Sequence, residues 1–256
     1  MWPFKKKTVV GKKLETFNTI ICIPGPWASR EEVILKIVES NMGEYIAARG
    51  VMMNMKTQSH CTIEVCEHDE RMRESFEIAG RVTRVSENFL NEIGKHNLVV
   101  YISAPTGNLE SLERLAFAAN AVLKAGGIGV KIETAGKAFD KETLQSFLND
   151  FRESNLYDMF VLESITTDDG TVFSCGMQNL GLKDTIVSGL KFQEAVDLIR
   201  IFGFYQVVDK PTILSRQTFS ATVDAPKFRI IEEQNPPYKS DEPLANPFGM
   251  WRLTKA

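Results

Sequence analysis

Apolar residues recur along this chain at two spacings, and the switches between them lay out its elements. Ile20-Ile21-Cys22-Ile23 is a short continuous apolar run that reads as a buried strand. Ser29-x-x-Glu32 then precedes Val33, Ile34, Ile37 and Val38, so a capping box opens an apolar stripe and predicts a helix from Ser29 to Asn41. Tyr45 to Met55 and His60 to Cys66 read as neighbouring strands, Asp69 to about His96 as one long helix, and Leu98 to Ile102 as a closing strand. The order then repeats. Ile128 to Glu133 predicts a strand, and Asp140 caps a helix to Ser154 whose Leu144, Phe147, Leu148 and Phe151 fall at i, i+3, i+4 and i+7. Met159 to Ile165 and Val172 to Met177 flank Asp168-Asp169-Gly170 and predict a hairpin. A helix from Lys191 to Tyr205 and a strand near Thr218 to Val223 complete the second copy.

Two copies of βαββαβ predict an α+β protein of tandem ferredoxin-like halves, residues 18–104 and 128–223. Between them, residues 105–127 carry a connecting helix. Asn108 caps it, Leu112, Leu115, Ala116, Ala119 and Val122 form its stripe, and Gly126-Gly127 stops it. A crossover of this kind allows the two sheets to merge into one, and a doubly wound α/β sheet is the alternative. Residues 1–17 make a basic tail. Residues 224–256 make a proline-rich arm with Pro226, Pro236, Pro237, Pro243 and Pro247, a further strand at Lys227 to Glu232, and an extended loop from Gln234 to Pro247. Phe248-Gly249-Met250-Trp251 is too apolar for a free end and is expected to dock on the second half.

At 256 residues and 43% hydrophobic, the chain can bury one large core or two smaller ones. It has no run of 18 apolar residues, so no integral membrane contact is expected. No apolar segment follows Lys5-Lys6-Lys7, which argues against a secretory signal and for a cytoplasmic protein. Cys22, Cys61, Cys66 and Cys175 are sparse and fall in predicted strands, as buried thiols do; Cys61 and Cys66 face opposite sides of one strand. Charge is uneven. Lys5, Lys6, Lys7, Lys12 and Lys13 give the first thirteen residues +5, which leaves 25 basic against 33 acidic residues, a net of −8, in the rest. That balance argues against a nucleic-acid grip, which needs a clustered basic face, and suits a basic protein partner. Solubility alone explains the same acidity.

Candidate chemistry is thin. His60, Glu64, Cys66 and His68 share one face of a predicted strand and carry zinc-ligand chemistry, with His60, Cys66 and His68 the strongest candidates. Strand neighbours on one face stand roughly 7 Å apart, however, and an ordinary strand running into an acidic helix start accounts for the same residues. No cofactor is expected. Cys175 has the chemistry of a nucleophile, but the three histidines, His60, His68 and His96, all lie in the first half. Thr106-Gly107-Asn108 opens a helix after a strand, the context of an anion site, yet lacks the residues of a phosphate loop. Asp168 and Asp169 suit a turn as well as a contact. Trp27 serves either as an exposed anchor or as a staple under the first helix.

The stretch Thr171-Val172-Phe173-Ser174-Cys175-Gly176-Met177-Gln178-Asn179-Leu180-Gly181-Leu182-Lys183-Asp184, the helix through Ala195 and Phe202, and Ile23-Pro24-Gly25-Pro26-Trp27 together resemble an uncharacterised bacterial family of unknown function over about residues 18 to 225. The Gly-Met-x-x-Leu-Gly-Leu-x-Asp segment is similar to one in families found beside polymorphic toxins, whose members act as immunity proteins. The resemblance implies a non-catalytic cytoplasmic protein that neutralises a cognate toxin by occluding its active site, and it carries over no catalytic residues. Charge then nominates Glu67, Asp69 and Glu70, the Asp168-Asp169 tip, and Trp27 as contact points. The alternatives are an enzyme or small-molecule sensor using a cleft between the halves, with Cys175, His60 or His68 reactive, and self-association through a sheet edge.

Overall fold

Residues 17–238 and 244–256 are described by a computed structural model, so the lysines of the basic tail lie outside the described residues. The first sheet has seven strands: β1 (Phe17–Gly25), β2 (Tyr45–Ala48), β3 (Val51–Asn54), β4 (His60–Glu67), β5 (Leu98–Thr106), β6 (Gly129–Ile132) and β7 (Lys137–Asp140). Their order is β2-β3-β4-β5-β1-β6-β7, and every neighbouring pair is antiparallel. β1 is fully buried at its centre. Ile21 and Ile23 face α1 (Arg30–Ser40) and α4 (Leu109–Lys124), while Cys22 faces α2 (Met72–Ala79) and α3 (Glu87–Ile93) on the other side. α5 (Lys141–Asn149) and α6 (Glu153–Phe160) complete the first side.

The caps work as the sequence predicts. Ser29 Oγ accepts from the Glu32 amide at 3.2 Å, and Glu32 Oε2 accepts from the Ala28 amide at 2.7 Å. Asn108 and Asp140 accept from the Ser111 and Thr143 amides at 2.9 and 2.7 Å. Three predicted elements are divided. Tyr45 to Met55 is a hairpin, turned at Arg49-Gly50 with φ of 51° and 79°. The helix predicted from Asp69 to His96 breaks at Gly80, where a Cβ would come within 2.3 Å of Val85 Cγ2, and restarts when Ser86 caps α3. The helix predicted to Ser154 stops at Asn149, and α6 follows.

The second sheet contains β8 (Leu162–Thr166), β9 (Val172–Cys175), β10 (Asp184–Val187), β11 (Thr218–Phe219), β12 (Phe228–Glu232) and β13 (Met250–Lys255), in the order β11-β12-β13-β10-β9-β8. α7 (Phe192–Phe204) packs Ala195, Leu198, Ile199 and Phe202 on its Val172, Val187, Ile230 and Leu253. The protein is α+β. Its sheets divide differently from the predicted halves, because the strand that should open the second half, β6, pairs with β1. The Ile128 and Glu133 amides donate to the Pro24 and Ile20 carbonyls at 3.0 Å each and fix that register. The C-terminal stretch is likewise no arm laid over the surface: β13 sits inside the second sheet, parallel to β10 and antiparallel to β12. No helix among the described residues is long and apolar enough to cross a membrane.

Candidate functional site

α2 and α3 cover only one end of their side of the first sheet, over Cys22, Val99 and Ala138. Next to them the face is open among the described residues, and a cleft of about 740 Å³ forms between α2 and the strands. Register builds its floor. Glu64 pairs with Tyr101, Tyr101 with Cys22, and Cys22 with Lys131, so these four stand in one row across β4, β5, β1 and β6. Thr62, Ser103 and Ile20 form the next row. Their alternates Cys61, Ile63 and Val65 point into the opposite core, so the pleat alone turns the polar set outward.

Lys131 is the most enclosed cation of the cleft, its side chain only 12% exposed. Its Nζ lies 2.9 Å from Glu133 Oε1 and donates to Ser75 Oγ, which α2 supplies. A serine beside a lysine is a known nucleophile–base pairing, but here the lysine Nζ is engaged by the Glu133 carboxylate as well as by Ser75. The pair therefore offers hydrogen-bond donors. At the rim, Arg71 Nε and Nη2 grip both oxygens of Asp69 at 3.0 Å each, which holds the Asp69 carboxyl down at about 2. Burial pushes the Cys22 and Cys61 thiols up to about 12 and raises Cys66 and Cys175 as well. Protonated thiols are poor nucleophiles and poor metal ligands.

Of the residues nominated from sequence, Cys66 and Asp69 line this cleft, and Glu67 and Glu70 are exposed beside it. His60 and His68 are not brought to Cys66: His60 starts β4, and His68 stacks on His96 at 4.3 Å between ring centroids. Among the described residues, no three His, Cys, Asp or Glu side chains form a metal-holding group. Trp27 is 2% exposed and donates Nε1–H to the Ala125 carbonyl at 2.8 Å, so it fastens the end of β1 to the end of α4 and offers no partner surface. Asp168 and Asp169 are exposed at the tip of the β8–β9 hairpin in the other sheet, where Asp169 accepts from Thr167 Oγ1 and the Thr171 amide at 2.5 and 3.0 Å. The anion-site context at Thr106 to Asn108 is filled by the chain, since the Gly107 amide donates to the Asn179 carbonyl at 3.1 Å.

The segment that carries the family resemblance is the seam between the sheets. Gly176 and Gly181 have φ of 118° and 72°, and a Cβ on either would come within 2.0 and 2.1 Å of the Phe160 and Gly107 carbonyl oxygens. Between them, Asn179 Oδ1 accepts from the Thr19 and Thr134 hydroxyls at 2.7 and 2.8 Å, and Gln178 Nε2 donates to the Thr134 carbonyl at 2.8 Å. Asp184, wholly buried, accepts from Ser174 Oγ at 2.9 Å, the Met177 amide at 3.3 Å and Asn246 Nδ2 at 2.7 Å. Cys175 is buried in this packed seam, 3.6 Å from the Leu244 carbonyl oxygen, and faces no cleft between halves. Sequence reasoning missed Lys131, Glu133, Tyr101 and Ser75. The signal for the first three was present as polar positions alternating with buried ones in short strands.

In comparisons with known proteins, the chain matches no family model, no curated protein and no solved structure.

Proposed function

We propose that this chain is a binding protein whose first-sheet face, open among the described residues, receives a basic segment of a partner protein. The observation that carries the reading is the charge of the cleft and its rim: Glu64, Glu67, Asp69, Glu70 and Glu133 stand against Arg71 and Lys131, and both cations already hold an acid of the cleft. An incoming lysine or arginine meets unneutralised carboxylate there, with Tyr101 and Ser103 as polar floor. The acidic balance of −8 after residue 13 supports the same choice by steering a basic partner toward the molecule.

The most concrete form of this reading, supported by the resemblance at Gly176 to Asp184, is a cytoplasmic immunity protein that neutralises a cognate bacterial toxin by covering its active site. Cover of ordinary size buries about 800 Å² on each partner, more than the cleft floor alone, so the Glu67–Glu70 rim takes part. The test compares capture by the wild-type chain with capture by Glu64→Lys, an exposed exchange that leaves the core untouched. The expected result is one stoichiometric partner that arrests growth when expressed alone and whose affinity falls at least about tenfold on charge reversal. A partner held equally well by Glu64→Lys overturns the site. A chain that captures no protein and instead turns over a small molecule overturns the function.

A further inference from the structure

One imidazole fixes the corner at the end of this cleft. His96, 2% exposed just beyond α3, has both ring nitrogens engaged by backbone: Nδ1 lies 2.7 Å from the Ile93 carbonyl oxygen and Nε2 lies 3.2 Å from the Asp69 amide nitrogen. A carbonyl only accepts and an amide N–H only donates. The ring is therefore the neutral tautomer with its proton on Nδ1 and a lone pair on Nε2. His68 stacks on it at 27° between ring planes and donates Nδ1–H to the His96 carbonyl at 2.8 Å. Asp69, held through its amide, is the same residue whose carboxylate grips Arg71 at the rim.

We propose that His96 is a proton-sensitive latch on the cleft: the neutral ring holds the Asp69–Arg71 corner against the end of the sheet, and protonation releases it and loosens the grip on a basic partner. The consequence for binding rests on the docking reading above; the latch itself does not. Among the described residues Nε2 is the acceptor that the Asp69 N–H uses, and a proton on it puts a second donor there, so the bond is lost and two hydrogens oppose each other. Stacked His68 adds repulsion whenever both rings carry charge. Burial already lowers the His96 pKa below its usual value, so the latch stays closed at neutral pH and opens on acidification. The Asp69 carboxylate pulls the other way, but Arg71 occupies both of its oxygens. Glu67 and Glu70 are exposed on either side of the connection, and on the α3 side the nearest charges in sequence, Glu92 and Lys95, are tied to each other at 2.8 Å.

The experiment is an NMR titration of the full chain, without partner, from pH 8 to pH 5. Imidazole nitrogen shifts report tautomer and charge, and the hydrogen-exchange protection of the Asp69 amide reports the latch. His96 is expected to carry its proton on Nδ1, to titrate below the ordinary 6.5, and to lose at least tenfold of Asp69 protection in the same step. Protection that stays constant while His96 titrates overturns the proposal, as does the opposite tautomer. His96→Gln supplies an acceptor oxygen that does not titrate; protection in that variant is expected to hold across the range, and a wild-type loss there also overturns the latch. These readouts need no partner, so their failure leaves the docking reading standing, and a partner indifferent to Glu64→Lys leaves the latch standing.

Discussion

At the scale of single residues, two buried groups pull the stability of this protein in opposite directions with pH. Asp184 accepts three hydrogen bonds, but burial dominates and pushes its carboxyl from 3.8 to about 7. A folded-state value above the unfolded one means that its favourable contribution is complete below pH 3.8 and is lost as pH rises through about 7. His96 has the opposite sign: its lowered value favours folding above the ordinary 6.5 and costs stability as pH falls below it. Asp184→Asn keeps a carbonyl oxygen for the Ser174 and Met177 donors and removes the titration, at a cost independent of pH where its Nδ2 meets the Asn246 Nδ2 donor. Relative to wild type, this variant is expected to gain stability between pH 5 and pH 8, by about 4 kcal/mol at most for a shift of this size. Urea unfolding at the two pH values measures it. A difference between the proteins that does not change with pH would show that the buried carboxyl is already ionised at the lower value.

At the scale of elements, the end of α6 depends on a residue from another strand. Lys137, 5% exposed on β7, donates from Nζ to the Asp158 and Val161 carbonyls at 2.6 and 2.7 Å, two of the acceptors that a helix end leaves open. Its charge faces the Glu163 and Asp158 carboxylates, which Arg200 of α7 also grips. Lys137→Met keeps the stem and strands both carbonyls, with an expected loss of about 2–3 kcal/mol by urea unfolding; a loss under about 0.5 kcal/mol would mean that water satisfies them. Local signals of this kind explain what could be read ahead of the structure. The starts of α1, α4 and α5 were legible because a cap and its stripe lie within eight residues. The break at Gly80 was not, since Ile78, Val82 and Val85 continue an apolar rhythm across it. Strands β7 and β10 are four residues each and almost wholly buried, so no alternation marks them. In the cleft, Cys66 and Asp69 were nominated from their own neighbourhood, whereas Ser75 meets Lys131 across 56 residues and nothing local announces the meeting.

At the scale of the molecule, the seam decides whether two sheets behave as one body. Apolar periodicity names elements but not their partners, and so the division into halves fell in the wrong place: β6 and β7 follow β1, and the second sheet is completed by β12 and β13 from the chain's last segment. A polar network binds the two sheets alongside the apolar packing of Met177 and Leu180 against the first core. Asn179 joins Thr19 of β1, 160 residues away, to Thr134 beyond β6 and to the Gly176 carbonyl just after β9, with every partner buried or backbone. A satisfied buried network is specific because its geometry admits few other arrangements, and its loss is felt on both sides. Asn179→Ala leaves the Thr134 hydroxyl without a partner, while Thr19 keeps Thr106 Oγ1 at 2.6 Å and the Gly176 carbonyl keeps the amide of residue 179 at 3.0 Å, and it is expected to cost about 1–3 kcal/mol. It should also uncouple the sheets. Trp27 lies in the core of the first sheet and Trp251 in the second, so replacing Trp2 and one of these two by Phe leaves a reporter for a single sheet. In each reporter background, tryptophan fluorescence and far-ultraviolet circular dichroism should give one shared urea midpoint while Asn179 is present, and separate midpoints once it is Ala. Coincident midpoints in the Asn179→Ala proteins would show that the apolar packing of Met177 and Leu180 against the first core couples the sheets without the polar seam.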